Sequence, residues 1–112
     1  MYIGNFLQER IKMFGYSVDN FAEEVLMDKQ DIQDIINDKV SFEELEPFDI
    51  CVISNALFCT PRYFIDENER NKDLVYITKD NKGNTIKSNL VKGRLQKYIK
   101  DILFLHKVNN NY

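Results

Sequence analysis

The sequence predicts a mainly α protein: a bundle of five helices over residues 1–67, then a small β-hairpin plus α-helix segment over residues 68–112. Three observations predict it. Apolar residues recur at helical spacing through the first 65 positions. Capping residues and stops punctuate that pattern at short intervals. After a polar stretch at residues 66–73 the pattern changes to β-branched and aromatic residues around a turn signal.

The elements follow in order. Residues 5–14 (NFLQERIKMF) place Phe6, Leu7, Ile11 and Phe14 at helical spacing, with Gln8, Glu9, Arg10 and Lys12 between them, and Gly15 ends the helix. Ser17 caps a second helix with Asp19 in its first turn and Phe21, Ala22 and Val25 inside. Asp28 caps a third, running to about Asn37, with Ile32, Ile35 and Ile36 turned inward. Residues 39–46 form a polar loop anchored by Phe42 and Leu45. Pro47 fits the first turn of a fourth helix. Its Phe48, Ile50, Val52, Ile53, Ala56 and Leu57 are apolar around much of the girth, which predicts the most buried element. Thr60-Pro61 opens a short fifth helix containing Tyr63, Phe64 and Ile65.

Residues 66–73 (DENERNKD) read as a linker. Leu74 to Thr78 then reads as a strand, answered by Thr85-Ile86-Lys87 across the turn residues Asp80-Asn81-Lys82-Gly83-Asn84. From about Asn89 the helical period returns. Val91, Leu95, Tyr98, Ile99, Ile102 and Leu103 share one face, while Lys92, Arg94, Lys97 and Lys100 occupy the other.

Composition narrows the class. A hydrophobic fraction of 44% with 29% charged residues is that of a soluble globular chain and not of a disordered one. No apolar run approaches the roughly 18 residues a membrane helix needs. The start of the chain lacks the basic and apolar stretches of a signal peptide, so the expected location is the cytoplasm, with no membrane partner. Cys51 and Cys59 sit in apolar surroundings without the spacing of a zinc site, and are expected to be buried, reduced thiols. His106 is the only histidine and has no companion ligands. No phosphate loop, nucleophile–base pair or metal pattern occurs, so no enzyme activity, cofactor or metal is expected.

Charge is divided unevenly. Residues 1–69 hold 5 basic and 15 acidic residues, a net of −10; residues 70–112 hold 10 and 3, a net of +7; together they restore the −3 of the whole chain. Such asymmetry suits either a basic nucleic-acid arm or a chain that docks on itself or on a copy of itself.

The stretch from Ser17 to Lys39 (SVDNFAEEVLMDKQDIQDIINDK) resembles the helix-turn-helix of the Cro/repressor family, also called the xenobiotic-response-element (XRE) type. The matching positions are Phe21-Ala22, the turn at Leu26-Met27, the cap Asp28, Ile32 and Ile35, and the exit turn Asn37-Asp38-Lys39. Ala22 is small where two helices cross, Met27 plugs the turn, and Ile32 and Ile35 hold the second helix so that its other face is free. The stretch Ile53 to Phe64 is similar to the family's fourth and fifth helices, so the resemblance covers about residues 5–66. The sequence departs from the family at Leu26 and Asp38, where glycine is usual and left-handed backbone is expected.

The resemblance implies a regulator, with repression expected, that binds double-stranded DNA as a dimer. Lys29, Gln30, Gln33, Asp34 and Asn37 would face the major groove, with Asp31 beside them. Ser17, Lys39, Ser41 and Arg10 would hold phosphates. Residues 74–107 would pair two copies through Val91, Leu95, Tyr98, Ile99, Ile102 and Leu103. Asp31 and Asp34 are poorly suited to lie near phosphate. A second expectation therefore stands beside the first: a protein-binding module on the same scaffold, such as an antirepressor, an antitoxin-like partner or a phage inhibitor, whose acidic face meets a basic partner.

Overall fold

The structure is a computed structural model and describes residues 1–110. Seven α-helices occur among them: α1 (Gly4–Met13), α2 (Val18–Val25), α3 (Lys29–Ile36), α4 (Pro47–Ala56), α5 (Glu67–Arg70), α6 (Leu74–Ile77) and α7 (Ile86–Asn110). Two 3-10 turns, Phe42–Glu44 and Pro61–Phe64, flank α4, and the second stands where the fifth helix of the bundle was expected.

Helix starts are set by side chains that accept the first free N–H groups. Ser17 Oγ accepts from Asn20 at 3.1 Å and Asp28 Oδ1 from Gln30 at 2.8 Å. Gly15 ends the first helical segment with φ +79°. Gly4 marks a close approach: a Cβ there would stand 2.2 Å from the Ile36 carbonyl oxygen. The start of α1 therefore lies directly on the end of α3, and the Gly4 N–H donates to Asp38 Oδ1 at 3.2 Å. Leu7, Ile11, Phe21, Ile32, Ile35, Ile53, Leu57, Tyr63 and Phe64 form the sealed centre of this bundle.

α4 is less buried than its apolar girth predicts. Ile50, Ile53 and Ser54 point inward, whereas Phe48 is 77% exposed and Cys51 is also on the surface. The Ser54 hydroxyl is satisfied within its own helix by donating to the Ile50 carbonyl at 2.6 Å. The expected burial of both thiols thus fails at Cys51. Cys59 is half-buried, and burial pushes its thiol pKa up to about 12, against the lowering pull of Arg10.

The expected β-hairpin is absent: no strand occurs among the described residues. Caps explain why. Asp73 Oδ1 accepts from the Tyr76 N–H at 2.9 Å and starts α6 where a strand was expected. Thr85 and Ser88 each accept the other's backbone N–H at 3.0 Å, and this reciprocal cap launches α7 through the second expected strand. The turn residues between them do make a turn, tied by Asn84 Nδ2 donating to the Lys79 carbonyl at 3.1 Å. The β-branched Val75 is fully buried in the core, and Tyr76 packs edge-on to Tyr63 with ring centroids 5.9 Å apart. That packing makes helix the better use of a locally β-prone sequence.

Residues 66–73 are not a solvated linker either. Asp66 caps α5, and Arg70 is buried with its guanidinium 3.8 Å from the Phe6 ring centroid and Nη1 donating to the Tyr63 carbonyl at 2.9 Å. Asp73 is buried against Arg10, which is itself wholly inaccessible. Arg10 Nη1 and Nη2 donate to the two Asp73 oxygens at 2.7 and 3.1 Å, while Nε and Nη2 also donate to the Leu57 carbonyl at 3.1 and 2.9 Å. Burial works against the guanidinium charge, and the bond to Asp73 with its surrounding charges outweighs burial, so the pKa is raised. Gln96 of α7 closes the network by donating to Asp73 Oδ2 at 2.9 Å and accepting from the Leu74 N–H at 3.0 Å.

Candidate nucleic-acid interface

The unit that the sequence singles out is α2, its turn and α3. The two helices join through Leu26, whose backbone is left-handed at φ 56° and ψ 41°, and Asp38 after α3 takes φ 59°. Both positions where glycine was expected thus adopt left-handed backbone with larger residues, at a cost of about 1–2 kcal/mol each. The turn is closed by the Met27 N–H donating to the Ala22 carbonyl at 3.0 Å. Ala22 is 4% exposed at the helix crossing, and Met27 is half-buried, packed on the core.

With Ile32, Ile35 and Ile36 buried, the remaining residues of α3 form its outer side. Lys29, Gln30, Asp31 and Asn37 are exposed; Gln33 and Asp34 are half-buried. These side chains are laced together. Lys29 Nζ pairs with Asp19 Oδ1 of α2 at 2.7 Å, with both groups more than half exposed. Gln30 Nε2 donates to Asp34 Oδ1 at 2.8 Å, and Gln33 Nε2 donates to Asn37 Oδ1 at 3.3 Å. Each bond spans one helical turn and is exposed, so an incoming donor or acceptor could replace it at small cost.

The expected phosphate-holding residues fare differently. Ser17 is exposed, and its hydroxyl oxygen serves as the α2 cap. Lys39 is exposed beside the exit turn. Ser41 is half-buried and engaged with Glu44, whose carboxylate accepts from its N–H at 3.2 Å and its hydroxyl at 2.9 Å. That hydroxyl, with the Ser41 backbone, holds the Glu44 pKa below the usual carboxylate range. Arg10 must be withdrawn from the set, because it is buried against Asp73 and cannot reach a ligand. The sequence carried a signal for this: Arg10 falls between Leu7, Ile11 and Phe14, on the apolar side of α1.

A shallow acidic groove lies beside the same helix. Asp31, Asp34, Glu44, Glu46 and Asp49 ring a floor of Met27, Ile35, Val40 and Leu45. Asp31 and Asp34 were expected on the outer side of the third helix; the fold brings them together with Glu44, Glu46 and Asp49 from two further segments.

At the other end of the chain, Val91, Leu95, Tyr98, Ile99, Ile102 and Leu103 are each 45–64% exposed. They are joined on the surface by Phe104 and Leu105. Of the segment expected to pair two copies, α7 carries most of the exposed apolar residues; in α6 Val75 is sealed in the core while Ile77 is 54% exposed. Among the described residues no group of acidic, histidine or cysteine side chains could hold a metal ion, and no helix is long and apolar enough to cross a membrane. Compared with family models, curated proteins and solved structures, the chain matches none.

Proposed function

We propose that this chain is a dimeric, sequence-specific DNA-binding regulator that lays α3 in the major groove, with repression the expected outcome. The observation that carries the reading is the two-sidedness of the α2–α3 unit. Its apolar side is sealed in the core, while Lys29, Gln30, Gln33 and Asn37 stand on the outer side of α3 in exposed or half-buried positions. Gln33 and Asn37 offer the paired donor and acceptor that suit adenine, and Lys29 suits guanine or phosphate once it leaves Asp19. Ser17 and Lys39 flank the helix as phosphate holders.

The electrostatics make this a reluctant reader. With Arg10 buried, Lys12, Lys29, Lys39 and Arg62 are the cations left in the first 69 residues, and Arg62 is paired with Asp66 at 2.8 Å. Binding should therefore be modest and fall only gently with salt, since few phosphates are neutralised. The test is fluorescence anisotropy of the full chain on DNA from directly upstream of its own gene, against scrambled DNA, at two salt concentrations. Selective binding that Gln33→Ala weakens at least about tenfold supports the reading, a loss matching one bidentate base contact. Equal binding to both DNAs, or none, removes it.

A second reading is favoured by the acidic groove: a protein-binding module that receives a basic segment of a partner between Asp31, Asp34, Glu44, Glu46 and Asp49. Changing Asp31 and Asp34 together to Asn separates the two. A DNA reader gains affinity for its operator, whereas a protein-binding groove loses its partner.

A further inference from the structure

α7 has two working faces. It docks on the body through Asn89, Gly93 and Gln96: Asn89 Nδ2 donates to the Met13 carbonyl at 2.8 Å, and a Cβ on Gly93 would stand 3.0 Å from the Phe58 side chain. Val91, Leu95, Tyr98, Ile102 and Leu105 follow one another at intervals of four, three, four and three residues, and each is at least 45% exposed. That is the heptad spacing of a two-helix seam. At 3.6 residues per turn the seam lies about half a turn from the docking face, so the body of the protein sits behind α7 and does not obstruct it.

Surface area and charge point to what covers the seam. The five seam residues expose on the order of 500 Å² in one stripe, toward the upper end of what a monomer usually leaves in one patch. A heptad stripe is complementary to itself, so a second copy fits without any unlike partner. Arg94 and Asp101 immediately precede the seam residues Leu95 and Ile102. In a parallel pair Arg94 would lie beside Ile99 of the partner subunit, which offers it no charge. In an antiparallel pair that layers Leu95 on Tyr98 and Val91 on Ile102, Arg94 meets Asp101 of the partner subunit. Two-fold symmetry then makes that ion pair twice, and the helix dipoles oppose each other favourably.

The geometry points to a homodimer in which α7 of each copy forms an antiparallel two-stranded coiled coil, fixed in register by Arg94 and the partner's Asp101. It rests on the dimeric part of the reading above and not on DNA binding, and it is tested without DNA so that either can fail alone. The experiment is sedimentation equilibrium on the full chain and on Arg94→Asp, Asp101→Arg and the double exchange, with circular dichroism to show that each stays folded. The wild type should be dimeric; each single reversal should weaken the dimer about tenfold; the double exchange should restore it to within about threefold. A monomeric wild type overturns the proposal. So does a double exchange no tighter than the singles, or singles that bind as the wild type does, since the two residues are then not partners across the seam.

Discussion

The bundle of residues 1–65 and the long helix α7 bury opposite kinds of residue. In the bundle, α2 and α3 seal Phe21, Val25, Ile32 and Ile35 and leave charge outside. α7 does the reverse: it meets the body with an asparagine, a glycine and a glutamine beside a half-buried Leu90, and leaves its other Leu, Ile, Tyr and Phe residues on the surface. The difference teaches what each face is for. The bundle holds itself together by apolar burial, whereas α7 adds specific hydrogen bonds to the packing of Leu90 and leaves most of its apolar area exposed, the area that the proposed dimer would cover. The join between them is the buried pair of Arg10 and Asp73, where α1, the segment before α6 and α7 through Gln96 converge.

Breaking that join should have the largest effect. Asp73→Ala leaves the Arg10 charge buried without its carboxylate, removes the cap of α6 and strips Gln96 of one partner. A loss of about 3–5 kcal/mol is expected in urea unfolding, the usual result of removing one half of a buried pair. The double change Arg10→Met with Asp73→Leu should recover part of that loss, because no lone charge remains. A single change that costs under about 1 kcal/mol would mean that the two regions are not joined through this pair.

Second in size is the seal between α1 and α3. Gly4→Ala would drive a methyl group into the Ile36 carbonyl and displace Asp38 from the Gly4 N–H. Thermal unfolding should report a loss of about 1–3 kcal/mol, the usual range for overpacking. Gly93→Ala is the matching change in α7, where the neighbour is the Phe58 side chain and not backbone. It should cost less and loosen α7 without unfolding the bundle, seen as faster amide exchange confined to α7.

These comparisons also mark what the sequence made legible. The bundle was readable because its signals are local: Ser17 and Asp28 cap the helices they were expected to cap, and Ile32 and Ile35 point where helical spacing puts them. The hairpin was misread because Leu74 to Thr78 is β-prone in isolation, and what overrides it is a cap by Asp73 and the burial of Val75. Asp73 in turn is buried only because Arg10, 63 residues away, waits for it. A pairing of that sequence separation leaves no trace in a window of neighbouring residues, so residues 66–73 looked like a linker. The candidate interface was readable as a set of α3 residues, but the acidic groove beside it draws on three segments and emerges only from the fold.

A smaller, stabilising effect is expected at Leu26. Its side chain is 92% exposed and its backbone is left-handed, so it contributes little packing and stores strain. Leu26→Gly relieves that strain but gains freedom in the unfolded chain, which offsets part of the benefit. A net gain of about 0.5–1 kcal/mol should appear in unfolding midpoints with α7 unaffected. A loss would mean that the exposed leucine is held by contacts the isolated chain does not make, with a partner lying against the turn.

The smallest change in stability should come from Asp19→Asn, and its value lies in what else it moves. Asp19 and Lys29 form an exposed ion pair, which typically contributes well under 1 kcal/mol. Loss of the carboxylate also removes a favourable charge from the first turn of α2, a term of similar size. Stability should therefore fall by no more than about 1 kcal/mol. On a DNA reader the same change frees Lys29 and deletes a charge that repels phosphate, so operator affinity should rise several-fold and its salt dependence should steepen by about one ion. On a protein-binding groove neither quantity has reason to move, because Asp19 lies outside the ring of carboxylates around Met27 and Ile35. A variant of unchanged fold and unchanged DNA affinity would thus turn the outer side of α3 from a base-reading surface into the wall of that groove.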